Sequence, residues 1–414
     1  MSKRIYLDYA SVTPTDKSVI KEMGRVARKY TANPSSIYKE GVLAMNFLNS
    51  CRERIASALE VHSDEIIFTS GGTESNSLAI LGVINAYNKI TTGELKGVIY
   101  ENILNNFDGK IPHVVSSTIE HPSIRELLFD LQKNEKIELT LISPNENGII
   151  EPEEVLNSLK ENTILVSIMY ANNEIGTIMP IPGIAKKLKE YKRKIGRTEF
   201  EMPFLHSDAS QAVCYLPMRI PSLHADLLTI DGGKIYGPRG VGALFVKRIV
   251  PLVSVNKGGS QEGGRRAGTE NLPSIAGLAL ALEMVEKNKK KEFERVEQLR
   301  DLMLVLLNSS KIKDKFFVNG SIQKGERLPN NLNICIPGID AEFLVLTLDA
   351  LGVCASSVTS CRTLSEDSYS YVVQEIRGES CSKSSLRISL GKYTKKKDVM
   401  RAGKTIVEAV GRVS

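Results

Sequence analysis

The stretch Asp226-Leu-Leu-Thr-Ile-Asp231-Gly-Gly-Lys234-Ile-Tyr-Gly-Pro-Arg-Gly-Val-Gly242 runs from a continuous apolar segment into a lysine and then a glycine-rich turn. A short apolar run bounded by glycines reads as a strand covered on both faces. Working outward, strand candidates are Glu65-Ile-Ile-Phe-Thr69, His113-Val-Val-Ser116, Ile137-Glu-Leu-Thr-Leu-Ile142, Thr163-Ile-Leu-Val-Ser-Ile-Met169, Phe204-Leu205, Leu227-Leu-Thr-Ile230 and Gly242-Ala-Leu-Phe-Val246. From about Asn33 to Thr269 these runs alternate with amphipathic helical ones. That alternation predicts an α/β domain with a mostly parallel sheet, whose ligands gather at the carboxyl ends of the strands.

A chain of 414 residues is too long for one ordinary core, and two domains are expected. The large one is assigned to residues 14–288. Residues 1–13 and 289–414 are assigned to a smaller α+β domain built around Asn331-Leu-Asn-Ile-Cys-Ile336, a helix from Ala341 to Leu351, and Ser385-Leu-Arg-Ile-Ser-Leu390. One long helix, or two close ones, from Pro273 to Leu306 joins them. The polar, asparagine-rich segment from Ala86 to Lys110 reads as a surface insertion.

The net charge of +6 is small for this length, and Lys287 to Lys291 is followed at once by Glu292, Glu294 and Glu297, so no direct nucleic-acid role is expected. No apolar run approaches the ~18 residues of a membrane span. The start lacks a signal peptide's apolar core, so a cytoplasmic location is expected. Six scattered cysteines without Cys-x-x-Cys spacing argue against a structural metal. Most are read as reduced, small hydrophobes.

Lys234 and Asp208 end two successive strand-like segments, and Gly71-Gly72-Thr73 opens a helix after a third. A lysine amine, a carboxylate and a glycine turn so placed are the parts that grip pyridoxal phosphate: amine to aldehyde, carboxylate to pyridinium nitrogen, helix start to phosphate. Taken alone, the glycine turn is equally a tight strand-to-helix connection. His121, between a strand and Pro122, either stacks on a flat ring and moves protons or caps a loop. Asn172-Asn173 forms a turn or supplies amide donors. Cys361, in Ser356-Ser-Val-Thr-Ser-Cys361-Arg362, is expected to ride a mobile loop of about residues 356–382, where a thiol beside an arginine suits nucleophilic duty.

With these residues in hand, the chain resembles the cysteine desulfurases of the NifS and IscS type, in the class V aminotransferase group of pyridoxal-phosphate enzymes. The resemblance covers nearly the whole chain. It is carried by Tyr6-Leu-Asp8-Tyr-Ala10, Asn33-Pro-Ser-Ser36, Ser70-Gly-Gly-Thr-Glu-Ser-Asn76, Glu120-His121, Asn172-Asn-Glu-Ile-Gly176, His206-Ser-Asp208-Ala-Ser-Gln211, Lys234-Ile-Tyr-Gly-Pro238, Gly263-Gly-Arg-Arg-Ala-Gly-Thr269 and Ser385-Leu-Arg387-Ile-Ser-Leu-Gly391. It implies pyridoxal-phosphate fold type I, like aspartate aminotransferase, with a seven-stranded sheet in the large domain.

The resemblance also implies residue roles. Lys234 holds the cofactor aldehyde, Asp208 pairs with the ring nitrogen, Gln211 and Asn173 contact the ring oxygen, and His121 stacks and handles protons. Gly72, Thr73 and Thr269 hold the phosphate, Thr269 from the other subunit of a homodimer. Arg387 and Asn33 bind the substrate, L-cysteine, and Cys361 takes its sulfur as a persulfide, leaving alanine. A sulfur-acceptor protein, either an iron–sulfur scaffold or a thiolation enzyme, is the implied partner. The alternatives are a selenocysteine lyase or other class V lyase, or a scaffold that has lost its cofactor.

Four positions depart from the family pattern. Asp231 and Gly233 stand where it has serine and histidine, Val358 replaces a glycine near the nucleophile, and Tyr38 replaces a histidine. An aspartate beside a phosphate is unfavourable, and the expected repair is an anion nest of Gly232 and Gly233 N–H groups, assisted by Arg265 or Arg266 of the partner subunit.

Overall fold

The computed structural model describes residues 4–95, 110–357 and 369–413. After a short strand β1 (Ile5–Tyr6) come β2 (Ile66–Thr69), β3 (His113–Ser117), β4 (Glu138–Ile142), β5 (Thr163–Ser167), β6 (Phe204–Asp208), β7 (Leu227–Asp231) and β8 (Gly242–Val246). The last seven form one sheet in the order β2-β8-β7-β6-β5-β3-β4. Strand β8 runs antiparallel to both its neighbours, and the other pairings are parallel. The expectation of a mostly parallel seven-stranded sheet therefore holds.

Alternate residues of each strand face opposite layers, as a two-residue repeat requires. Ile66, Phe68, Val115, Val166, Leu205 and Leu228 enter one core, while Ile67, Val114, Leu165, Phe204 and Leu227 enter the other. Helix Gly72–Thr91 supplies the second core with Leu78, Ile80, Val83, Ile84, Tyr87 and Ile90. That helix corrects the expected insertion. Ala86, Tyr87 and Ile90 are buried in its last turns, so its apolar stripe continues past residue 86; residues 96–109 lie outside the described residues.

Helix Leu272–Asn308 is one continuous element, started by Pro273 and capped by the Asn271 side chain accepting from Ser274 N–H. Its first half buries Ile275, Leu278 and Leu282, and its second half Val296, Leu299, Met303 and Leu307. The second half packs on helix Lys396–Val413. Beside it, β9 (Phe317–Val318), β10 (Asn331–Cys335) and β12 (Ser385–Ser389) form an antiparallel sheet in the order β12-β10-β9. Strand β11 (Val353–Cys354) pairs in parallel with β1, which ties the N-terminal residues to this C-terminal unit.

Most cysteines among the described residues are free, namely Cys51, Cys214 and Cys354, but Cys335 and Cys381 form a disulfide. Strand β10 and helix Glu379–Ser382 bring together thiols 46 residues apart, and no spacing rule exposes such a pair. Cys51 and Cys214 are free and buried, as small hydrophobes should be. Reducing the bridge is expected to cost about 4 kcal/mol through the loop it releases in the unfolded chain. Urea unfolding with and without dithiothreitol measures it, with Cys335→Ala as control. Equal midpoints in both buffers would refute that expectation.

Candidate active site

The carboxyl ends of β6 and β7, the turn after β3 and the start of helix Gly72–Thr91 surround a cavity of about 320 Å³. Its lining includes Gly72, Thr73, His121, Asn173, Asp208, Gln211, Lys234 and Arg387, so eight sequence-predicted site residues meet in one place. Asn33 and Thr269 are exposed and not in that lining. Cys361 lies outside the described residues.

Lys234 ends the 3-10 turn Gly232–Lys234 that follows β7 directly. The turn needs glycine at 232, since a Cβ there would lie 2.7 Å from the Pro238 carbonyl oxygen and 2.8 Å from that of Val241. Lys234 Nζ donates to the carbonyl oxygens of Ala10, at 3.2 Å, and Ser11. The N-terminal arm thus positions the amine, aided by Gln211 Nε2 donating to the same Ala10 oxygen at 2.9 Å. Asp208 is the last residue of β6, and its carboxylate accepts from Asn76 Nδ2 at 2.8 Å and from Ser210 N–H at 2.9 Å. These bonds fix the carboxylate at the cavity wall.

His121 is the N-cap of helix Pro122–Lys133, and its Nδ1 accepts from Ser123 N–H at 3.2 Å. That bond places the ring proton on Nε2. Burial holds the imidazole below its ordinary range, so it is neutral at pH 7 and able to accept or pass a proton. The capping alternative for His121 is realised, at a helix start, and its ring also lines the cavity.

Beneath it, Glu120 is fully buried, and one carboxyl oxygen takes Ser117 Oγ at 2.6 Å and Met169 N–H at 3.0 Å. Burial raises its pKa from about 4.5 to about 8. The unfolded chain ionises this group near 4.5 and the folded one only near 8, so the folded state binds more protons between those values. Stability therefore falls as pH rises through that window, by up to a few kcal/mol. Glu120→Gln is expected to flatten the slope and to be the more stable protein at pH 8 by thermal melting; a wild-type melting point that rises from pH 5 to 8 would contradict this.

Arg387, on β12, has a side chain only 3% exposed. Its Nη2 donates to Asp8 Oδ1 at 2.9 Å and Ser11 Oγ at 2.6 Å, its Nη1 to the Asn173 carbonyl at 3.1 Å, and its buried Nε has no partner among the described residues. The backbones of Arg387 and Ser356 exchange hydrogen bonds of 3.2 and 2.7 Å, which fixes Ser356 beside an arginine of the cavity wall. Asp8, Ser11, Asn76 and Ser123 were given no role by the sequence reading. Asp8 and Asn76 stood inside quoted motifs, but nothing local shows that they touch Arg387 and Asp208.

The anion nest does not form as expected. Gly233 N–H is given to the Asp231 carboxylate and Gly232 N–H to the Val241 carbonyl. Arg266 is paired with Glu74, and Arg265 donates to backbone oxygens of Asp64 and Glu262.

These residues fit pyridoxal phosphate. An amine, a carboxylate and a neutral imidazole converge on a cavity of suitable size, and the N–H groups of Thr73 and Glu74 at the helix start have no acceptor among the described residues. Among the described residues no group of three or more metal-ligating side chains gathers, and no helix is long and apolar enough to cross a membrane.

Residues 5–96 and 91–401 match the model of the family described as Aminotransferase class-V. "Cysteine desulfurase IscS" of Dictyoglomus turgidum is 37% identical over 400 residues, 96% of this chain and 92% of that protein. "Selenocysteine lyase" of Bos taurus is 33% identical over 424 residues, covering 100% of this chain and 94% of that protein. A solved structure described as a NifS-like protein superposes with a TM-score of 0.84 at 26% identity, covering 99% of this chain and 100% of the other.

Proposed function

We infer that this chain, which belongs to the class-V aminotransferase family, is a pyridoxal-phosphate-dependent cysteine desulfurase of fold type I. The observation that carries the reading is the convergence of Lys234, Asp208 and His121 on one cavity. Bound there, pyridoxal phosphate supplies an electrophilic carbonyl for the substrate amine and an electron sink for the bonds that break.

The chain's own residues do the rest. Lys234 anchors the cofactor and returns as a base once freed. Asp208 holds a proton on the ring nitrogen, His121 moves a proton at Nε2, and Gln211 and Asn173 orient the ring oxygen. Gly72 and Thr73 receive the phosphate with Thr269 of a second subunit. Arg387 takes the substrate carboxylate with its planar fork, exchanging partners with Asp8, and Asn33 assists from the rim. The Cys361 thiol then takes the substrate sulfur: the cysteine C–S bond breaks, an S–S bond forms, the proton given up by the thiol is made good on the alanine methyl, and alanine leaves while the persulfide stays on Cys361.

Purified protein given cysteine, cofactor and a thiol reductant should release alanine and sulfide in equal amounts. Alanine without sulfide, or neither, would end this reading. The full-length match to a selenocysteine lyase supports a second reading, in which selenocysteine is the better substrate by kcat/KM.

The protein acts as a homodimer in this proposal, made of large and small units meeting near residue 288. It is placed in the cytoplasm, handing sulfur to an iron–sulfur scaffold or a thiolation enzyme. Support for the dimer comes from Ile37, 96% exposed, and its exposed neighbours Tyr38, Val42 and Leu43 at the start of helix Lys39–Leu59, an apolar patch that a second copy would cover. Ile37→Asp with Leu43→Asp should shift sedimentation toward the monomer. An unchanged dimer would place the interface elsewhere.

A further inference from the structure

Asp231 is the charged group in the cavity that the proposed reaction does not use. Its Oδ2 accepts from Gly72 N–H at 2.9 Å, and its Oδ1 from Gly233 N–H at 2.7 Å. Oδ2 lies 3.1 Å from where a Cβ on Gly72 would stand, with Ser210 Oγ 3.2 Å from that point, so it is seated against the helix start and beside the cavity. An anion at a helix N-terminus is held by aligned N–H groups and by the dipole, and two anions compete for such a place. Within the chain, Arg266 is paired with Glu74 and Arg265 donates to backbone oxygens, so neither offsets the extra charge.

We propose that Asp231 is a resident anion at the phosphate end of this site, bracing the cofactor-free chain and selecting against the phosphate group of the incoming cofactor. The proposal rests on the reading of the cavity as a pyridoxal-phosphate site. To bind, the phosphate must either displace the carboxylate from two amides or settle on Thr73, Glu74 and Ser210 beside a like charge. Both routes weaken its hold. Pyridoxal, which has the same aldehyde and ring but no phosphate, meets neither obstacle. The chain therefore discriminates between the two far less than a site with a neutral residue at 231 would.

The test uses the full chain, cleared of cofactor by dialysis against hydroxylamine and titrated with pyridoxal phosphate or pyridoxal, following the visible absorbance of the lysine-bound form. Asp231→Ser is expected to tighten pyridoxal phosphate at least about tenfold and to leave pyridoxal within about threefold, a difference that isolates the phosphate term. Asp231→Asn, which keeps the shape of the cap, should move in the same direction. The cofactor-free Asp231→Ser protein should melt lower than wild type, and millimolar inorganic phosphate should restore it while leaving the wild type unmoved. Unchanged or weaker pyridoxal phosphate binding in both variants overturns the proposal and leaves the cofactor reading standing, provided the wild type absorbs. No absorbing species in any of the proteins overturns the cofactor reading, and this proposal with it.

Discussion

Replacing Lys234 with alanine is expected to remove the visible absorbance of the cofactor-loaded protein and to lower cysteine turnover by roughly 10⁴-fold or more, since the anchoring amine and the returning base are one group. The geometry makes the loss specific. Lys234 projects from a turn whose backbone is set by Gly232 and by the Val241 and Pro238 carbonyls, and removing the side chain leaves that turn intact. Asp208, His121 and Gln211 keep the partners described above, so the variant should fold and melt within a few degrees of wild type. Absorbance spectra, an alanine assay and a melting curve on the same preparation separate the effects. A Lys234→Ala protein that keeps both colour and activity would remove the basis of the functional assignment.

Cys361→Ser carries the second large effect. The substitution should lower alanine and sulfide release from cysteine by about 10³-fold or more, while the visible band stays, because the thiol acts on substrate sulfur and holds no part of the cofactor. A hydroxyl in its place attacks sulfur poorly and cannot store it as a persulfide. Mass spectrometry of wild type given cysteine without reductant should show one added sulfur on the peptide containing Cys361, absent in the variant. Undiminished turnover in Cys361→Ser would favour the lyase reading, in which the thiol is dispensable.

The strands were legible because burial on both faces leaves continuous apolar runs, and their ends were placed to within a residue or two, except for β6, read as Phe204-Leu205 and running on to Asp208. Glu65, read as the first residue of β2, instead ends a 3-10 turn, where its side chain accepts from His62 N–H at 3.0 Å. A local capping bond outweighed strand propensity there. The wall of the cavity was also legible, since Lys234, Asp208, His121 and the Gly71-Gly72-Thr73 turn each end or begin a recognisable element. Contacts between distant segments were not. Arg387 meets Asp8 across 379 positions, Asp231 meets Gly72 across 159, and Cys335 meets Cys381 through tertiary packing alone. Periodicity reports which face of an element is buried, and no local pattern says which remote side chain will face it.

The paired backbone bonds between Ser356 and Arg387 have a consequence for whatever receives the sulfur. Cys361 is five residues along the chain from that knot, and a fully drawn-out peptide covers at most ~3.5 Å per residue. Its α-carbon is therefore leashed within roughly 17 Å of Ser356. The centre of that sphere sits beside Arg387, the residue proposed to receive the substrate carboxylate, so in the proposed reaction loading and delivery share one short radius. An acceptor of the proposed kind would have to bring its receiving atom inside that radius or within the few ångströms that the side chain adds, and a mate too bulky to approach the mouth of the cavity would go unserved however strongly it binds elsewhere.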